Sequence, residues 1–225
     1  MTPSFLPEPF ARAFHQRNIR PAPWLKLDVA KTIIFDLGGV LVHLDWDQVC
    51  GALETLSTRG AGAVRAELVN GPIVSESMRG DFGAREFQQR LCDRLEIEIS
   101  YEAFVEIWNG LLRPNQEIVP LVEGLKPGHK LVLASNTDRI HFSYSFEHFP
   151  VLHQFDRHFL SYEMGLLKPE TAFFDHVLMA LNAAPDDCVF IDDRSDNVEA
   201  ARGVGITSFR FEGVERLQSD LKQFL

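Results

Sequence analysis

Short apolar runs ending in acidic or hydroxyl side chains punctuate the chain. Lys31 to Asp36 is β-branched and aromatic, ends in an acid and precedes the pair Gly38-Gly39, which reads as a buried strand feeding a tight turn. His129 to Ser135 and Asp187 to Asp192 repeat the pattern, with Arg157 to Ser161 a weaker fourth strand and Gly205 to Phe209 a fifth. Helical periods lie between them. Thr171 to Leu181 is apolar on one side, and Ser195 to Arg202 is short and stops at Gly203. Strands alternating with helices predict an α/β fold, a Rossmann-like parallel sheet covered on both faces.

The alternation fails between about Asp45 and Leu112, where every segment reads as helix, for example Ala84 to Leu95 and Tyr101 to Leu111. Gly71-Pro72 and Arg79 to Gly83 break this stretch. The expected organisation is therefore an N-terminal extension (1–28), an α/β core (29–44 and 113–225) and an inserted helical cap (45–112). The extension carries five prolines together with Arg12, Arg17 and Arg20, and lacks the apolar centre of a signal peptide.

Charge and cysteine usage narrow the class. The formal net charge is -10 with no basic run, which argues against a nucleic-acid partner, since neutralising a phosphate backbone needs clustered Lys and Arg. No apolar run approaches the ~20 residues of a membrane span. Cys50, Cys92 and Cys188 are far apart and odd in number, as expected of reduced thiols in a cytoplasmic protein.

In an open α/β sheet, ligands bind beyond the carboxyl ends of the strands. Asp36, the run Ser135-Asn136-Thr137-Asp138, Lys168-Pro169 and the pair Asp192-Asp193 all fall at or near that edge. Singly, each suits a turn, a helix cap or a solvated loop. Together, a carboxylate, a hydroxyl at a helix start, a lysine and an acid pair suit phosphoryl transfer.

The runs FDLGGVL (Phe35 to Leu41), LASNTD (Leu133 to Asp138), GLLKPE (Gly165 to Glu170) and FIDDRSDN (Phe190 to Asn197) resemble, in order and spacing, the four motifs of the haloacid dehalogenase-like superfamily. The nearest resemblance is to helical-capped bacterial sugar-phosphate phosphatases. It implies a Mg²⁺-dependent hydrolase of small phosphomonoesters, with Asp36 as the nucleophile of an aspartyl-phosphate intermediate. Asp36, the Gly38 carbonyl and Asp193 would hold Mg²⁺, with Asp192 beside them. Ser135, Asn136 and helix-start N–H groups would bind the phosphoryl oxygens, and Lys168 would pair with both Asp36 and the phosphate.

The resemblance departs at one place. Most relatives carry a second Asp two residues after the nucleophile, where this chain has Gly38. General acid–base catalysis is typically worth ~10²–10⁴-fold, so a slower enzyme, or another proton carrier such as His43 or Asp45, is implied. Two alternatives stand beside this reading: a 2-haloacid dehalogenase, which needs no metal and lacks the acid pair, and a non-catalytic phosphometabolite- or partner-binding protein. In the cap, Glu76, Arg79, Asp45 and Trp46 are candidates to touch substrate, Arg79 first.

Overall fold

The computed structural model describes residues 31–60 and 62–225, and the expected extension 1–28 lies outside them. The described residues open with β1 (Thr32–Phe35), turn through the glycine pair and enter β2 (Val42–Leu44). Helices α1 (Trp46–Leu56), α2 (Ala63–Asn70), α3 (Pro72–Arg79), α4 (Ala84–Leu95) and α5 (Tyr101–Asn109) follow. The chain returns through β3 (Leu112–Pro114) to α6 (Val119–Leu125), β4 (Lys130–Ser135), α7 (Arg139–His148) and β5 (Arg157–Leu160). It closes with α8 (Ser161–Met164), α9 (Thr171–Leu181), β6 (Cys188–Asp192), α10 (Ser195–Gly203), β7 (Thr207–Arg210) and α11 (Val214–Phe224).

The main sheet has five parallel strands in the order β5-β4-β1-β6-β7. Alternate residues feed opposite faces, as the two-residue period of a strand requires. Ile33, Phe35, Leu131, Leu133, Val189 and Ile191 face one apolar cluster, and Ile34, Val132, Ala134, Cys188 and Phe190 face the other. The first cluster runs on without a break into Val49, Leu53, Leu91, Phe104 and Trp108 of the inserted helices. Those helices thus share a core with one face of the sheet.

Register positions the chemistry. Phe35 lies opposite Leu133 of β4 and Ile191 of β6. One residue further on, Asp36 therefore comes level with Asp192, with Ser135 just beyond on the other side.

A second sheet is a short antiparallel pair, with Val42 opposite Pro114 and Leu44 opposite Leu112. It ties together the outgoing and returning passes of the chain. The sequence does not announce it, because three-residue strands are too short for a period to register. The ion pair of Asp45 with Arg113 fastens the same junction at 2.9 Å. The aromatic-rich stretch Phe142 to Phe159 fills the core at Phe149, Phe155 and Phe159, while Phe146 is exposed.

Candidate active site

Asp36 ends β1 and its backbone N–H donates to the Ile191 carbonyl, which anchors this position to β6 at 2.9 Å. The turn that follows is compact: the Leu37 carbonyl accepts from the N–H groups of Val40, Leu41 and Val42. The Gly38 carbonyl accepts no hydrogen bond among the described residues. Gly39 has φ +73°, and a Cβ there would lie 2.3 Å from Asp193 Oδ2, so only glycine lets the turn pass this carboxylate.

The side chains interlock. Lys168 Nζ lies 2.8 Å from Asp36 Oδ1 and 2.6 Å from Asp192 Oδ2, all three buried. Asp36 Oδ1 also accepts from the Leu37 N–H at 2.7 Å. Asp192 accepts from the Arg194 N–H, from Lys168 and, through both oxygens, from Asn197. A carboxylate offers about four acceptor positions, and all four are taken. Asp192 therefore positions Lys168, and its oxygens are engaged by protein donors. Asp193 is half-buried beside Gly39, and its own backbone N–H is a partner of its carboxylate.

Electrostatics set the character of this cluster. Burial pushes the Asp36 carboxyl up to about 8, with Lys168 opposing the rise and Asp192 adding to it. Asp193 is also raised, by burial first and Asp192 second. Burial would lower Lys168, but the two carboxylates outweigh it and hold the ammonium above its ordinary value. Three carboxylates face one ammonium, a deficit of positive charge that a divalent cation would make good. Asp36, Asp192 and Asp193 bring ligand oxygens within 4.8 Å of one another. This all-oxygen set suits Mg²⁺.

Ser135 is 1% exposed, and its hydroxyl has no hydrogen-bond partner among the described residues. A buried hydroxyl without a partner costs free energy unless a ligand engages it. Two neighbours differ from expectation. The Asn136 side chain is spent on the Lys168 backbone, donating to its carbonyl and accepting from its N–H, each at 2.8 Å. Its task is to hold the lysine segment. The helix start is also partly spent: Asp138 caps α7 by accepting from the Ile140 and His141 N–H groups. The Thr137 N–H goes to Ser161 Oγ.

Arg79 lies away from the acid cluster, paired with Glu170 and donating to the Gly165 carbonyl at 3.1 Å. In this geometry it fastens α3 to the segment behind Lys168. Asp45 caps α1 and pairs with Arg113, and Trp46 packs edge-on against Trp108 at 6.5 Å. His43 is exposed on β2. The space a side chain at position 38 would need is bordered by Leu44, 3.3 Å from an added Cβ.

A buried polar tie behind residues 135–138 has no signature in the chain's pattern. Trp108 Nε1 on α5 donates to Asp138 Oδ2 at 3.0 Å, His141 Nδ1 lies 3.1 Å from the same oxygen, and His141 Nε2 is 2.9 Å from the Trp108 carbonyl. Both ring nitrogens face oxygen atoms. The indole and imidazole also stack, 4.8 Å between centroids. Burial pushes the Asp138 carboxyl up, but His141 and the Trp108 donor outweigh it and hold the group below 3.8. A depressed carboxyl contributes stability that is present above its unfolded value and lost as pH falls through the folded one. Trp108→Phe is therefore expected to cost about 1.5–3 kcal/mol at pH 7 in urea unfolding, the worth of a hydrogen bond to a charged group. The cost should shrink in strong acid, once Asp138 is protonated in both proteins. An equal cost across that range would exclude the charged bond as its source.

A family model described as haloacid dehalogenase-like hydrolase matches residues 30–205. The chain belongs to that family. Curated relatives include a D-ribitol-5-phosphate phosphatase of Bacteroides thetaiotaomicron, 28% identical over 81% of this chain and 92% of its own. Another is the sesquiterpene phosphatase astK of Aspergillus oryzae, 25% identical over 87% of this chain and 96% of its own. A HAD family enzyme of B. thetaiotaomicron, solved in complex with magnesium and inorganic phosphate, superposes with TM-score 0.76 and 26% identity, covering 84% of this chain and 99% of that one. The HAD-like parallel sheet expected from the sequence is thus the fold of the chain, and the protein is a HAD-family hydrolase.

Proposed function

We propose that the protein is a Mg²⁺-dependent phosphatase of small phosphomonoesters, sugar or polyol phosphates among them, working through an aspartyl-phosphate on Asp36. The carrying observation is the interlocked Asp36–Lys168–Asp192 cluster beside the unpartnered hydroxyl of Ser135. The related enzyme solved with magnesium and phosphate, and the phosphatases among the relatives, support the same reading.

Asp36, Asp193 and the Gly38 carbonyl would hold the cation. When bound, Mg²⁺ offsets the charge of the carboxylates and of the phosphoryl oxygens. Asp36, fixed by Leu37 and Lys168, directs a carboxylate oxygen at phosphorus, and the ester P–O bond breaks as the new bond forms. Ser135 and Lys168 donate to the phosphoryl oxygens and reduce their repulsion of the attacking carboxylate. Water then cleaves the aspartyl-phosphate and regenerates Asp36. With glycine at position 38, no carboxyl stands there to protonate the departing oxygen, so aryl and other stable leaving groups should turn over fastest. We take residues 45–112 as the cap that covers the leaving group. We infer a cytoplasmic setting, in keeping with three buried, unbridged cysteines. No helix among the described residues is long and apolar enough to cross a membrane.

The test is hydrolysis of an aryl phosphate by chelator-treated protein with and without added Mg²⁺. Activity is expected only with the cation, and Asp193→Ala should weaken Mg²⁺ binding, read by calorimetry, by more than about 100-fold, beyond the usual loss from an indirect partner. Full activity after chelation would overturn the Mg²⁺ dependence, and turnover of a 2-haloacid in place of the phosphate ester would move the assignment to a dehalogenase, whose attack on carbon needs no divalent cation.

A further inference from the structure

The backbone does not require glycine at position 38. Gly38, unlike Gly39, avoids the left-handed conformation, so its φ admits an L residue. The three atoms nearest a Cβ added there all belong to Leu44, with Cδ1 3.3 Å away. Leu44 is 39% exposed. A part-exposed apolar side chain thus borders the space into which a side chain at position 38 would project, two residues from Asp36.

Hydrolysis through Asp36 has two halves with different needs. In the first, a carboxylate oxygen bonds to phosphorus and the ester P–O bond breaks, its electron pair leaving on the alkoxide or aryloxide. A nitrophenolate departs without a proton. In the second, a water oxygen bonds to phosphorus, the bond from phosphorus to Asp36 Oδ breaks, and its pair returns to the carboxylate. That water must give up a proton to a base, whichever alcohol left before it.

The basic groups near the turn are committed elsewhere. Leu44 faces Gly38, so His43, one residue earlier on β2, points to the opposite side of that strand. Asp45 accepts from the Gln48 N–H through Oδ1 and from Arg113 through Oδ2. Asp192 is engaged by Lys168, Arg194 and Asn197, and Asp138 by Trp108 and His141. Lys168 is an ammonium between two carboxylates, and Asp193 is assigned to the cation. Asp36 itself carries the phosphoryl group. Among the described residues, no free base is left beside it.

We propose that the phosphoryl-enzyme persists: breakdown of the aspartyl-phosphate limits turnover of esters with good leaving groups, because Gly38 and the Leu44 side chain beside it leave the attacking water without a base. The proposal rests on the phosphatase reading and adds its slow step. The second half is the same for every substrate, so kcat converges across such esters while kcat/KM still follows the leaving group.

The full-length protein with Mg²⁺ is mixed with para-nitrophenyl phosphate and followed before the steady state. A burst of nitrophenolate approaching one per protein molecule is expected. Acid-quenched protein should carry one phosphoryl group on Asp36 by mass spectrometry, and kcat for mono- and dinitrophenyl phosphates should nearly coincide. Gly38→Asp combined with Leu44→Ala makes room for a carboxylate beside Asp36. It should speed breakdown of the phosphoryl-enzyme by about 10²-fold, the lower end of what a general base supplies, and abolish the burst. Thermal unfolding checks that the double variant is folded, and the wild-type burst decides the matter without it. Steady turnover by the wild type with no burst overturns the proposal and leaves the phosphatase reading in place. So does a burst without covalent phosphate, which is slow release of product. A burst unchanged in the folded double variant overturns the part given to position 38. Neither hydrolysis nor phosphoryl-protein with either ester overturns both readings.

Discussion

Asp36→Asn is expected to abolish turnover, by more than about 10⁴-fold, while leaving the protein folded and at least as stable as the wild type. The amide nitrogen is no nucleophile, so the covalent step has no substitute. The retained carbonyl oxygen can still accept from Leu37 and Lys168, as Oδ1 does. The stability expectation follows from the raised carboxyl. A group lifted to about 8 by burial destabilises the folded state wherever it is ionised, so removing its charge relieves that cost above about pH 4 and most fully above pH 8. Urea unfolding at pH 8 should show an unchanged or higher midpoint. Near-normal hydrolysis by a clean preparation of this variant would remove the basis of the mechanism. A sharp loss of stability would instead mean that the Asp36 charge supports the fold.

Lys168→Met should act on both activity and stability. Lys168 Nζ is held between Asp36 and Asp192, and its side chain is completely buried. Methionine fills similar volume but leaves two buried carboxylates without their counter-charge. Breaking a buried pair in this way typically costs about 3–5 kcal/mol, because the remaining charge is uncompensated. The loss should appear in the unfolding free energy at pH 7 and shrink as pH falls, because protonation then neutralises the carboxyls. Adding Asp192→Asn to Lys168→Met should recover part of the stability but none of the activity, since the lysine that meets the phosphate is still missing. A double variant no more stable than the single would show that Asp192 and Lys168 are not energetically coupled.

Much of this site was legible in the chain because its parts sit at boundaries between apolar and polar residues. The runs before Asp36, Ser135 and Asp192 are each buried on both faces, so they are continuously apolar and end abruptly where the sheet meets its ligand edge. Lys168, in a loop, carried no such signal of its own. Its place near the ligand edge came from its position in the chain, and its pairing with Asp36 came from the resemblance of the four motifs, in order and spacing. The inserted helices were legible as helices by their period, whereas the β2–β3 pair was too short to leave one.

What only the tertiary structure decided is how each polar group is spent. Arg79 read as a candidate substrate ligand, and the fold pairs it with Glu170, 91 residues away. Asn136 read as a phosphate contact, and its amide instead holds the Lys168 backbone 32 residues further on. Asp192 read as part of the metal set, and four donors from Lys168, Arg194 and Asn197 fill its acceptor positions. The tie of Trp108 to Asp138 and His141 left no local trace. Sequence alone determined which chemical groups stand at the ends of the strands, because burial dictates the apolar pattern on either side of them. Packing between distant segments determined which of those groups stay free to react, since a buried donor or acceptor takes whatever partner the fold brings within about 3 Å.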